Sequence, residues 1–125
     1  MAIKVLLVDD SAVMRKVLIR SLRQAGVDAG EILEASDGVQ AIAALDEDPT
    51  VDVVLCDWNM PNMSGIEFVV RARGKGYEMP IVMVTTEAGD ERVQQALDAG
   101  ANGFVNKPFT PDSLEAAFGR IFQTA

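Results

Sequence analysis

Histidine is absent from all 125 residues. Its absence removes imidazole acid–base chemistry, histidine metal ligation and any role as a phosphohistidine donor. Cysteine is scarce: Cys56 stands alone, so no internal disulfide can form, as expected of a reducing compartment. Long apolar runs are missing too. Ile3 to Val8 is far too short to span a bilayer, and no signal-peptide pattern surrounds it. Positive charge is in deficit, with 11 Lys and Arg against 19 Asp and Glu and a formal charge of −8. Such a balance disfavours nonspecific binding to nucleic acid and suits a partner that presents a basic patch. No linker, repeat or low-complexity segment interrupts the chain. The expectation is one cytoplasmic domain over 1–125, without membrane insertion or room for an output domain.

What is present is a regular alternation. Apolar runs predict strands at Ile3–Val8, Ile32–Ala35, Val51–Cys56, Pro80–Val84 and Phe104–Val105. Between them, amphipathic stretches predict helices at Ala12–Ala25, Asp37–Leu45, Ser64–Arg73 and Glu91–Ala99, and a last helix is capped by Thr110 with Pro111 at its first position. Met14, Leu18 and Leu22 form one stripe of the first helix, and Gly26 stops it. Asp37 and Gln40 have capping-box spacing. In the last helix Leu114, Phe118, Ile121 and Phe122 are expected to face the core.

Strict βα alternation predicts an α/β fold, a doubly wound parallel sheet with helices on both faces. The first, third and fourth strands are nearly all apolar, as strands buried on both faces should be. The second carries Glu31 and Glu34, and the fifth is short and ends at Asn106, so both read as edges. Of the two common open orders, this selects 2-1-3-4-5 and sets the switch point between the first and third strands.

Ligands of open α/β sheets sit beyond the carboxyl ends of the strands. Those ends carry Asp9-Asp10, Asp57, Thr85-Thr86 and Lys107-Pro108. Each residue alone has a plainer reading: a helix-start acidic pair, a loop acid, a strand or cap threonine, a solvated lysine. Their joint placement on one rim overturns those readings. Two carboxylates about 5 Å apart repel by roughly 3 kcal/mol at an effective dielectric near 20. Lys107 offsets part of that repulsion, and a divalent cation would offset the rest. All-oxygen ligands with water completing the shell favour Mg²⁺. A metal on a phosphate-sized rim points to phosphoryl transfer, with Asp57 as nucleophile and the Thr85 hydroxyl donating to a phosphoryl oxygen.

The chain closely resembles the response-regulator receiver family, in its CheY-like chemotaxis branch. The matching stretches are Val8-Asp9-Asp10-Ser11, Ser36-Asp37-Gly38, Cys56-Asp57-Trp58-Asn59-Met60-Pro61, Val84-Thr85-Thr86-Glu87, Gly100-Ala101-Asn102-Gly103-Phe104 and Asn106-Lys107-Pro108-Phe109-Thr110. The resemblance spans essentially the whole chain, and the 2-1-3-4-5 order of this flavodoxin-like (βα)5 fold is itself known from that family. It implies Asp57 as phosphoacceptor, with the phosphohistidine of a histidine kinase as donor. It implies Asp10, Asp57 and the Asn59 backbone carbonyl as Mg²⁺ ligands, with Asp9 acting through metal-bound water. Thr85 would swing toward the phosphoryl group, Phe104 would answer by a rotamer change, and Lys107 would bind a phosphoryl oxygen. The Lys107–Pro108 bond would be cis. Asn59 and Glu87 would flank the path of the attacking water, and Trp58 fluorescence would report metal and phosphoryl binding.

Two positions depart from the family pattern. Phe104 stands where well-studied members have tyrosine, and Thr86 replaces a small residue beside the switch threonine. The function implied is a monomeric phospho-switch, not an enzyme beyond self-phosphorylation from phosphodonors and autodephosphorylation. It would act on a flagellar motor switch protein through the face formed by the fourth helix, fifth strand and fifth helix, with a phosphatase as a further partner. The alternative is a stand-alone receiver in a phosphorelay or another signalling branch without motor binding. An Asp-nucleophile phosphatase would need a second acid close behind Asp57, where Trp58-Asn59 stands. A flavin carrier would meet an acidic pair after the first strand instead of a phosphate loop.

Overall fold

The computed structural model describes residues 2–86 and 89–122. Among these residues, strands β1 (Ile3–Val8), β2 (Ala29–Ala35), β3 (Val53–Cys56), β4 (Ile81–Thr85) and β5 (Gly103–Asn106) alternate with helices α1 (Ala12–Gln24), α2 (Gly38–Glu47), α3 (Gly65–Gly74), α4 (Asp90–Ala99) and α5 (Pro111–Ile121). All neighbouring strands pair in parallel, in the order β2-β1-β3-β4-β5. The expected α/β doubly wound sheet is therefore present, with its switch point between β1 and β3.

Side chains alternate across a strand, so each central strand feeds two cores. Leu6, Val8, Val54, Cys56, Ile81 and Met83 pack against α2, α3 and α4 through Ala41, Leu45, Phe68, Val69, Ala72 and Ala96. Val5, Leu7, Val53, Leu55, Val82 and Val84 pack against α1 and α5 through Leu18, Leu22, Leu114, Ala117 and Phe118. Both faces of β1, β3 and β4 are thus covered, which explains their continuous apolar sequence.

Four of the five helices begin on a side-chain cap: Ser11, Asp37, Ser64 and Thr110 accept from the backbone N–H of Met14, Gln40, Glu67 and Ser113. Each satisfies one donor that the first helical turn leaves without a partner. The expected box at α2 differs in detail: the Gln40 side chain accepts from the Ser36 backbone N–H at 3.1 Å instead of returning to Asp37. Helix α4 differs from the other four: Gly89, its N-cap, makes no side-chain cap hydrogen bond.

Several expected boundaries shift. β2 begins at Ala29 rather than Ile32, because backbone pairing with β1 continues through residues that carry no apolar pattern. β3 starts at Val53, and Val51 is buried without joining the ladder. β4 starts after Pro80, whose ring nitrogen has no N–H to donate. Met14 is only half-buried. Phe122 corrects the core expectation: it is the C-cap of α5, 41 % exposed, with its ring 5.8 Å from that of Phe118. The helical period places residue 122 beside the core stripe, but the helix ends before that residue can turn inward.

Candidate functional site

The register sets the rim. Val8 lies opposite Cys56, and Thr85 opposite Asn106. The ladder then runs one residue further. Asp9 N–H donates to Ala35 O at 3.1 Å, Asp57 N–H to Val8 O at 2.9 Å and Lys107 N–H to Thr85 O at 2.9 Å. Asp9, Asp57 and Lys107 therefore leave the sheet on anchored backbone, at the same end of the strands.

Their side chains converge. Asp9, Asp10 and Asp57 each offer a carboxylate oxygen, all within 4.8 Å of one another. Lys107 Nζ donates to Asp9 Oδ2 at 2.9 Å and lies 3.5 Å from Asp57 Oδ2. Burial is graded across the cluster: Asp9 is almost fully buried, Asp57 partly, and Asp10 is exposed. Asp9 Oδ1 accepts from Ser11 N–H at 2.9 Å, and Asp57 Oδ1 from Trp58 N–H at 2.7 Å. Burial raises the Asp57 pKa above the usual carboxylate value; Lys107 opposes that rise and Asp9 adds to it. A divalent cation would relieve both the burial and the repulsion.

The donor set fits such an ion. Three carboxylate oxygens lie within 4.8 Å of one another, Asp10 of the three is exposed, the sequence has no histidine, and its one thiol is Cys56. Burial drives the Cys56 thiol pKa well up, and its Sγ–H points at Asp57 O at 3.2 Å, so it is neither thiolate nor ligand. Hard oxygen ligands with an open side suit Mg²⁺ or Ca²⁺ better than zinc or copper.

Around the carboxylates, Thr85 ends β4 fully buried. Phe104 on β5 is partly buried, its ring edge-on to Trp58 with centroids 6.4 Å apart. Asn59 is exposed on the loop leaving β3, and Thr86 is exposed after β4. The Lys107–Pro108 bond is cis. Glu87 lies outside the described residues.

Four features of the site had escaped the sequence reading. Arg15 reaches back from α1 to Asp9 O at 2.5 Å while its Nε donates to Glu34 at 2.8 Å. It thereby fixes the backbone of the buried carboxylate. Its spacing from the Ser11 cap was the available signal. Asn62, with φ +68°, donates to Asp37 Oδ2 at 2.8 Å and ties the β3–α3 loop to the start of α2. Gly65 donates to Trp58 O at 2.8 Å, and a Cβ there would fall 2.1 Å from Asp57 O. Arg92 of α4 lies over the Trp58 ring at 5.5 Å. The Asn62–Asp37 and Arg92–Trp58 contacts join residues far apart in sequence, and such contacts leave no local pattern.

Fold and rim together define an open α/β protein whose switch-point end carries an acidic, metal-capable cluster with one lysine. The sequence pattern of the response regulator receiver domain matches residues 5–119. The chain belongs to that family. It is 47 % identical over 123 residues to a chemotaxis protein CheY homolog of Campylobacter jejuni, covering 97 % of this chain and 93 % of the relative. The solved structure of chemotaxis protein CheY4 from Vibrio cholerae superposes with a TM-score of 0.85 at 37 % identity, over 98 % of this chain and 100 % of that one. A CheX–CheY–BeF3–Mg complex from Borrelia burgdorferi contains a chain that superposes with a TM-score of 0.88 at 25 % identity, over 98 % of this chain and 90 % of its own. No helix among the described residues is long and apolar enough to cross a membrane.

Proposed function

We propose that this receiver takes up a phosphoryl group on Asp57, with Mg²⁺ held by Asp10, Asp57 and the Asn59 backbone carbonyl, and signals in chemotaxis. The observation that carries the reading is the convergence of three carboxylates within 4.8 Å beside the Lys107 ammonium. Family membership and the CheY names of its relatives supply the chemotaxis branch.

An Mg²⁺ ion held by Asp10, Asp57 and the Asn59 carbonyl would supply charge neutralisation for the phosphoryl oxygens. The chain's own groups do the rest. An Asp57 oxygen attacks phosphorus and the O–P bond forms. The bond from phosphorus to the donor imidazole nitrogen breaks, and that nitrogen leaves with the electron pair. The Trp58 N–H on Oδ1 orients the carboxylate. Lys107 divides its charge between Asp9 and Asp57 and is near enough to move onto a phosphoryl oxygen. The Thr85 hydroxyl donates to another once it turns toward the rim. Asp9, held by Ser11 and Lys107, would order water beside a bound ion.

Output then passes to the surface of α4, β5 and α5. On the β5 and α5 part of that surface a groove of about 500 Å³ is lined by Phe104, Asn106, Pro108, Thr110, Ser113 and Arg120. Phe104 borders both this groove and Trp58, so its rotamer links the acceptor to the face that a motor switch protein would engage. A relative is solved in complex with CheX, beryllofluoride and Mg, which supports a further protein partner for the modified receiver, a phosphatase in our reading. Phosphotransfer from a histidine-kinase phosphotransfer domain tests the reading. Label should move to the wild type in Mg²⁺ and not to Asp57→Asn. Label on another residue would refute it. Pull-down of motor-switch protein with beryllofluoride present should succeed; failure there alongside normal phosphotransfer would favour a phosphorelay role.

A further inference from the structure

The first turn of α4 is held in an unusual way. The other four helices start on side-chain caps, whereas Gly89 provides none. Only Ala96 of α4 is buried, so the helix has little core to grip. Its far end is firmly pinned. Gly100, at φ +115°, closes the helix, and its carbonyl accepts from Arg73 Nε at 3.0 Å. The same guanidinium donates to Tyr77 O, Met79 O and Asn102 Oδ1 at 2.7 to 2.9 Å. One end of α4 is therefore bolted to α3 and to the loops that lead into β4 and β5, while the other end rests beside the acceptor loop.

At the start of α4 the exposed residue Arg92 lays its guanidinium 5.5 Å over the Trp58 ring. Trp58 is buried, edge-packed by Phe104, and hydrogen-bonded through its backbone to the Asp57 carboxylate. The residue covalently next to the acceptor thus carries α4 on its ring face and meets Phe104 of β5 in an edge-type contact. A cation over tryptophan is the strongest pairing of its kind.

We propose that Arg92 is a positioning residue of the switch: stacked on Trp58, it clamps the first turn of α4 in the arrangement that accompanies an unmodified Asp57. In this proposal modification of Asp57 displaces that turn, so the clamp opposes the displacement and lowers affinity for the phosphoryl state. This rests on the receiver reading above. While the unmodified arrangement dominates, loss of the clamp passes fully into apparent affinity. At an exposed site such a contact corresponds to about a two- to five-fold change.

The test compares wild type, Arg92→Gln and Arg92→Lys by amide exchange without ligand and by Trp58 fluorescence titration with beryllofluoride and Mg²⁺. Far-ultraviolet circular dichroism checks that each is folded. The Gln variant should exchange faster at residues 93–96, whose N–H groups are the first to be bonded within α4, starting with Val93 N–H to Gly89 O, and bind the mimic about two- to five-fold more tightly. Lys, which keeps the cation, should stay near wild type. Unchanged exchange in the Gln variant would refute the clamp. Faster exchange with equal or weaker mimic binding would refute its link to Asp57. Failure of the wild type itself to bind the mimic would instead strike the receiver reading, and exchange would still decide the clamp.

Discussion

Two glycines at opposite ends of α3 should respond to the same substitution in opposite ways. At Gly65 an added Cβ would lie 2.1 Å from Asp57 O, 2.8 Å from Met83 Cε and 3.0 Å from Asp57 C. The methionine tip can yield; the acceptor's backbone, fixed by β3, cannot. Relief requires the start of α3 to move outward by about 1 Å, which overpacking data put at roughly 1–3 kcal/mol. That movement also weakens the Gly65 N–H bond to Trp58 O, for about 1 kcal/mol more. Gly65→Ala should therefore cost about 2–4 kcal/mol, and with a urea slope near 2 kcal/mol/M its midpoint should fall by about 1–2 M. At Gly74 nothing lies within 4 Å of the added carbon. Gly74→Ala should raise the midpoint by about 0.3 M, through the entropy of the unfolded chain. Paired urea unfolding of the two variants measures both. A Gly65→Ala midpoint within about 0.3 M of wild type would refute the claim that this glycine is reserved for the acceptor's backbone.

Further outcomes follow from the electrostatics. Asp57 has a raised pKa, so its charge burdens the folded state at neutral pH. Asp57→Asn should raise the urea midpoint in EDTA near neutrality, and the gain should vanish as pH falls toward the ordinary carboxylate value; a loss at neutrality would contradict this. Asp48 behaves oppositely. Lys4 Nζ at 2.6 Å and the Thr50 hydroxyl hold its pKa down to about 2. Its contribution is complete above the unfolded value near 4 and is lost as pH falls through about 2. The stability gap between wild type and Asp48→Asn should thus be full at neutrality and shrink in acid; a pH-independent gap would refute the pairing. Exposed Asp10 should be replaceable by Asn with a change within about 0.5 kcal/mol in EDTA. Mg²⁺ at ten times its dissociation constant should stabilise wild type by about 1.4 kcal/mol, and Asp10→Asn at that concentration by much less. An equal thermal shift in both would remove Asp10 from the ligand set.

Much of this was legible in the sequence because both signals are local. The apolar runs at Val5–Val8, Val53–Cys56 and Ile81–Val84 name strands buried on both faces, and Glu31 and Glu34 mark an edge. Strand order then brings Asp9, Asp10, Asp57, Thr85 and Lys107 to one end without any knowledge of contacts. Less visible were features set by tertiary pairing. β2 gains its first residues from hydrogen bonding to β1, not from apolar pattern. Phe122 continues the α5 stripe in sequence but falls at the helix end and stays exposed. Arg92 over Trp58 and Gly65 against Asp57 join residues from different elements, and neither composition nor period announces them.

The most direct measurement is intact-protein mass spectrometry after acetyl phosphate treatment, with Mg²⁺ or EDTA, on wild type and Asp57→Asn. Wild type in Mg²⁺ should gain the mass of a single phosphoryl group, and the other three samples should gain little or none. Equal gain in EDTA, or in the asparagine variant, would mean that the acidic rim around Asp57 is not where phosphoryl chemistry occurs.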